Sequence, residues 1–125
     1  MKVITLKQPW ATLVSEGIKK YEFRSWKYNY RGKILIHAGA GIDKDAMEKC
    51  VHLNLEYPNK RIIAEVDIVD CIALDETKSK EINKQNSLIY GNKLRNGYAW
   101  KLENVKKIKI EEEISGKQGI WNYFS

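Results

Sequence analysis

Apolar and polar positions along the chain change period several times, and each change marks an element. Residues 2–6, "KVITL", set Val3 and Thr5 against Ile4 and Leu6, the two-residue alternation of a short strand. "QPWATLVSEG" switches to the helical period. Trp10, Leu13 and Val14 fall on one face, Pro9 suits the first turn, and Gly17 supplies a left-handed C-terminal cap. "KKYEFRSW" returns to alternation, with Lys19, Tyr21 and Phe23 on one side and Lys20, Glu22, Arg24 and Trp26 on the other. "YNYRG" then reads as a turn.

"KILIHAG", 33–39, is apolar on both faces at its centre and predicts a buried strand, which Gly39 and Gly41 end. A second helix is expected from Asp43, a good N-cap, with Ile42, Ala46, Met47, Cys50 and Val51 as its apolar stripe. "RIIAEVDIVDCIAL", 61–74, predicts a long strand with Ile62, Ala64, Val66 and Ile68 on one face. Residues 75–97 are polar and Gly/Asn-rich, with a short apolar knot at Leu88–Tyr90, and read as a loop with one helical turn. "YAWKL" and "VKKIKI" predict two strands divided at Glu103 and Asn104, and "GKQGIWNYF" holds apolar residues that must dock on the rest. This order predicts an α+β fold, a mixed sheet or small barrel with two flanking helices.

A length of 125 residues suits one domain, 1–125, able to hold its own core. Cys50 and Cys71 belong to no zinc-type spacing and read as reduced thiols. No apolar run reaches the roughly 18 residues of a membrane span, and "MKVITLKQPW" lacks the apolar core of a signal peptide. The expectation is a cytoplasmic protein needing no cofactor and no metal.

Charge sharpens the picture because it is uneven. Residues 1–40 hold eight Lys/Arg against Glu16 and Glu22, a balance of +6 that equals the net charge of the whole chain. The same stretch carries six of the 13 aromatic residues: Trp10, Tyr21, Phe23, Trp26, Tyr28 and Tyr30. Cations interleaved with aromatics suit single-stranded nucleic acid, whose phosphates need positive charge and whose splayed bases need flat faces. A solubilising surface over an aromatic core would give the same composition.

Several chemistries are excluded. The chain has no Walker-type phosphate loop, no HExxH and no serine in a nucleophile-elbow context. His37 reads more readily as a hydrogen-bonded core histidine than as a base or metal ligand, and His52 closes the second helix with no function assigned. Glu22 and Arg24 share a strand face and could be an ion pair on a solvated edge. Lys19, two residues past the helix-ending glycine and crowded by Lys20 and Arg24, would have its charged form disfavoured and could serve as base or nucleophile. Standing just past a cap, it is expected to contribute little to the core.

"LKQPWATLVSEGIKKYEFRSWKYNYRGKILIHAG" resembles the opening of ASCH (activating signal cointegrator homology) domains, marked by a GxKxxExR element, here Gly17, Lys19, Glu22 and Arg24. The resemblance continues through "YRG", His37-Ala38, "GYAWKLENV" and "GKQGIW" and so covers nearly the whole chain. It implies a PUA-like fold, a small open mixed β-barrel closed by helices. It also implies that GxKxxExR lines a cleft for RNA or a modified nucleoside. Under that reading Gln8, Trp10, Lys19, Lys20, Glu22, Arg24 and Trp26 are the candidate ligand-binding residues, with Trp10 and Trp26 equally suited to core packing.

Some members of this family remove the acetyl group from N4-acetylcytidine. The resemblance therefore implies an alternative, a small amidohydrolase in which Lys19 is base or oxyanion partner and Glu22 activates water. Glu22 stands where that branch carries a threonine, and its downstream glutamate has only Glu76 and Glu81 as counterparts.

Overall fold

The structure, a computed structural model, describes residues 1–124, and Ser125 lies outside the described residues. In chain order the elements are β1 (Lys2–Gln8), α1 (Trp10–Ser15), β2 (Tyr21–Arg24), β3 (Gly32–Ile42), α2 (Lys44–Cys50), β4 (Arg61–Ala73), α3 (Glu76–Gln85), α4 (Ser87–Tyr90), β5 (Tyr98–Lys107) and β6 (Ile120–Asn122). The six strands make one mixed sheet in the order β2-β5-β4-β3-β1-β6. β1 and β3 run parallel, and the remaining neighbours are antiparallel.

The sheet does not close by backbone pairing. It curls until Arg24, on the terminal strand β2, donates from its guanidinium to the carbonyl of Thr5 on β1 at 3.3 Å. This is an α+β, small open PUA-like barrel. Its interior is the alternating face of β4 (Ile62, Ala64, Val66, Ile68) against Ile4, Leu6, Ile34, Ile36, Ala11, Val14, Trp100 and Leu102, all nearly inaccessible. A second cluster, with Leu13, Tyr21, Ile82, Ile89, Tyr90 and Ala99, joins the outer face of β2 and β5 to α3 and α4.

Four local expectations are corrected. β3 does not end at Gly39 but runs to Ile42, because the register between Leu6↔Ala38 and Gln8↔Ile42 gives β3 extra residues, a bulge that absorbs both glycines. A Cβ on Gly39 would lie 2.8 Å from the Thr5 side chain, so glycine there permits close approach of the two strands. "YAWKL" and "VKKIKI" are not two strands: β5 is continuous to Lys107, and Asn104 sits in a bulge with φ 54°, its amide donating to Asp67 at 2.9 Å. The stretch 75–97 is mainly helical, with Asp75 and Asn86 capping α3 and α4 by accepting from Lys78 N and Ile89 N. The fourth concerns α2: Asp43 caps it as expected, but Ile42 and Val51 are 55% and 72% exposed, leaving Ala46 and Cys50 as its buried residues.

The apolar tail docks through β6, which pairs with β1 and buries Trp121. Trp121 Nε1 donates to Thr5 Oγ1 at 3.0 Å, Thr5 Oγ1 lies 3.2 Å from His37 Nδ1, and His37 Nε2 lies 2.6 Å from the Ile114 carbonyl. His37 is therefore a hydrogen-bonded core histidine. Met1 and Tyr123 exchange backbone hydrogen bonds of 2.8 and 2.9 Å. No helix among the described residues is long and apolar enough to cross a membrane.

Candidate functional site

The GxKxxExR element owes its shape to a helix end. Gly17, at φ 74°, takes the left-handed position after α1; its N–H donates to Val14 O and that of Ile18 to Leu13 O, both at 2.9 Å, a Schellman arrangement. The next amide, Lys19 N, also donates to Leu13 O at 3.0 Å. Lys19 is thus fixed at its backbone before β2 begins, and Glu22 and Arg24 follow on one face of that strand at the two-residue period.

The three charged side chains meet. Lys19 Nζ donates to Glu22 Oε1 at 3.0 Å and to the carbonyl of Tyr21. Arg24 donates to Glu22 Oε2 through Nε at 3.2 Å and through a terminal nitrogen at 3.0 Å. Lys19 is 4% exposed, Glu22 12% and Arg24 24%, which corrects both the picture of a solvated edge and that of a lysine outside the core. The strand alternation would place Lys19 with Tyr21 and Phe23; standing before the strand, its amine reaches Glu22 instead and lies 5.2 Å from the Phe23 ring centre.

The electrostatics follow from burial and count. Burial pushes the Lys19 pKa below its ordinary value; the Glu22 charge and hydrogen bond oppose this, and Arg95 and Arg24 add to it. Burial acts to raise Glu22, but the charges of Lys19 and Arg24 and their hydrogen bonds together hold its carboxyl below the usual range. Two cations share one carboxylate, so the trio keeps a net positive charge.

Aromatic faces flank it in alternation. The Trp10 ring lies 5.8 Å from Lys19 Nζ, the Phe23 ring 5.2 Å on, and the Arg95 guanidinium stacks 4.0 Å from the Phe23 centre. Arg95 is the residue that sequence reasoning missed. It donates to Asn83 Oδ1 at 2.9 Å and to Tyr90 O at 2.6 Å, while its own N–H donates to Ser79 Oγ at 3.0 Å. α3 and α4 therefore serve as its mount. The capping residues Asp75 and Asn86 were the available signal for those helices, but nothing in the sequence points from Arg95 to Lys19.

Of the other candidates, Lys20 lines a cavity together with Lys19, while Gln8 and Trp26 are engaged by other partners. Gln8 is 1% exposed, and its amide donates to Pro58 O at 2.7 Å and accepts from Thr12 N at 3.0 Å, so it organises the start of α1. Lys20 is exposed, and its N–H donates to Tyr90 Oη at 2.8 Å. Trp26, 37% exposed in the β2–β3 loop, packs edge-on against Trp100 at 4.8 Å and beside Tyr28. Trp100 itself is core, opposite Glu22 in the β2–β5 register, and its buried Nε1 has no hydrogen-bond partner among the described residues.

One cavity adjoins the element and another lies by Trp10 and Arg95. The first, of about 610 Å³, runs past Lys19, Lys20 and Lys101 over an apolar floor of Val14, Val66 and Leu102. The other, about 340 Å³, lies between α1, α2 and the α4–β5 connection and is lined by Trp10, Asp43, Asp45, Tyr90, Lys93 and Arg95 among others. Among the described residues no three His, Cys, Asp or Glu side chains gather as a metal-holding group.

The sequence profile described as the ASCH domain matches residues 4–112. Activating signal cointegrator 1 of Homo sapiens is 25% identical over 132 aligned residues, covering 94% of this chain, and its Mus musculus counterpart is 24% identical over 133. The chain spans 21% of the length of each of these relatives. With the profile covering most of its length and GxKxxExR folded into one buried charged trio, the chain belongs to the ASCH domain family.

Proposed function

We propose that the chain binds RNA, or a modified nucleoside of RNA, at the basic and aromatic mouth built by Trp10, Lys19, Glu22, Phe23 and Arg24. The observation that carries this reading is the alternation of aromatic ring and cation from Trp10 through Lys19 and Phe23 to Arg95, around a trio with net positive charge. Flat apolar faces receive unstacked bases, and the surrounding positive potential draws in the phosphate backbone. Membership of the ASCH family supports it.

The test is anisotropy of a labelled single-stranded RNA. Trp10, half-buried at the cavity wall, should act mainly through its face: Trp10→Ala is expected to weaken binding by about 1–3 kcal/mol, the range for one base–aromatic stack. Affinity should fall linearly with salt on logarithmic axes, because phosphate contacts release counterions. RNA binding that is indifferent both to salt and to Trp10→Ala would refute the assignment.

A second reading is favoured by one observation, the lowered Lys19 pKa, which suits the base of an N4-acetylcytidine amidohydrolase. Acetate release from N4-acetylcytidine by the parent protein, abolished in Lys19→Arg, would support it; no release refutes it.

A further inference from the structure

Arg95 is half-buried, and among the described residues no carboxylate lies within ion-pair distance of it. That is unusual for a desolvated charge, which is normally paired. Two of the five N–H donors of a guanidinium are engaged, by Asn83 Oδ1 and Tyr90 O, and the flat of the group rests on Phe23. The side chain is therefore held rigidly by neutral acceptors and one ring, while its charge is left for something else.

Its surroundings indicate what. The cavity of about 340 Å³ that Arg95 lines is near the lower limit for small-molecule pockets, roughly 300 Å³. Its lining is mixed: Lys93 and Arg95 are the cations of the α4–β5 connection, the α2 side brings Asp43 at its cap with Asp45 and Lys49, and Trp10 offers an aromatic surface. A phosphate fits the first, hydroxyl or amine donors the second, and a heteroaromatic base the third.

We propose that Arg95 is a phosphate-binding residue, and that this cavity takes one nucleotide unit with its phosphate on Arg95 and Lys93 and its base against Trp10. The proposal rests on the RNA or nucleoside reading above and deepens it, because it makes the preferred ligand a phosphorylated nucleotide rather than a free nucleoside. A fixed guanidinium can bind two phosphate oxygens at once with little further ordering, whereas a lysine offers only a point charge.

Calorimetric titration of the four common ribonucleosides, their 3′- and 5′-monophosphates and inorganic phosphate into the intact protein tests this. At least one monophosphate should bind about tenfold or more tighter than its nucleoside, the equivalent of one charge-assisted hydrogen bond. Arg95→Gln should bring that ratio close to one, and Arg95→Lys should restore part of it. Lys93→Gln, at an exposed residue outside the Arg95 mount, should lower the ratio more modestly and covers the case in which Arg95 variants fail to fold.

Nucleosides binding as well as their monophosphates, or a monophosphate preference untouched by a folded Arg95→Gln, overturns the inference and leaves the RNA reading standing. Binding of none of these probes together with no binding of single-stranded RNA overturns both.

Discussion

Arg24 and Thr5 belong to β2 and β1, strands that are not neighbours in the sheet, and a side-chain-to-backbone hydrogen bond of 3.3 Å joins them across the gap. The same guanidinium holds Glu22 Oε2. One residue thus fastens the barrel opening and fixes the carboxylate that pairs with Lys19.

Replacing Arg24 by alanine should destabilise the fold by about 1.5–3 kcal/mol, the range for hydrogen bonds to charged groups. Arg24→Lys should recover only part, because an ammonium cannot span Glu22 Oε2 and Thr5 O in the same geometry. Urea unfolding midpoints of the three proteins give the comparison; equal midpoints for parent and Arg24→Ala would show that the seam holds without this contact.

Lys19 and Glu22 should behave as a coupled pair. Glu22→Gln leaves the buried Lys19 charge unpaired and should destabilise by about 3–5 kcal/mol, whereas after Lys19→Met Glu22 keeps its ion pair with Arg24 and the loss should be smaller. The double variant should be less destabilised than the sum of the two, since neither charge is then stranded. A double-mutant cycle by denaturant unfolding measures the coupling, and strict additivity would count against the pairing.

Stability should fall in two steps on the acid side. Burial lowers the His37 pKa from 6.5, only partly offset by its bond to the Ile114 carbonyl, so the unfolded chain binds this proton more tightly than the folded one. Stability on account of His37 is complete above pH 6.5 and is lost as pH falls through the folded value. Glu22 follows the same sign from its ordinary 4.5: its lowered folded pKa stabilises the protein above that pH and is lost below it. Unfolding free energies measured from pH 8 to pH 3 should show both losses, and Glu22→Gln should abolish the lower one alone.

Strands announced by alternation were readable in the sequence, as β4 shows: every residue of Ile62, Ala64, Val66 and Ile68 is buried. The Glu22–Arg24 part of the trio was readable too, since two-residue spacing puts both on one face, but alternation set Lys19 on the other face and its ion pair with Glu22 was not foreseen. What escaped has a common cause. α3 reads "ETKSKEINKQ", with Ile82 its one large apolar residue, so no hydrophobic period marks it; its caps and the Glu76–Lys80 ion pair of 2.8 Å are the local determinants. Glycines and Asn104 read as strand ends because a bulge and a break look alike until the partner strand is known. Arg95 could not be linked to Phe23 because the contact spans more than seventy positions and depends on helices that were themselves hidden.

The paired backbone bonds between Met1 and Tyr123 bring the two ends of the described chain out of the fold side by side. Covalently joining those ends and reopening the chain at an exposed loop tip would leave every strand pairing intact, so circular permutation should be tolerated. For the same geometric reason, the fold can sit within a longer polypeptide as a bead on a loop, entering and leaving at one point without separating the segments on either side.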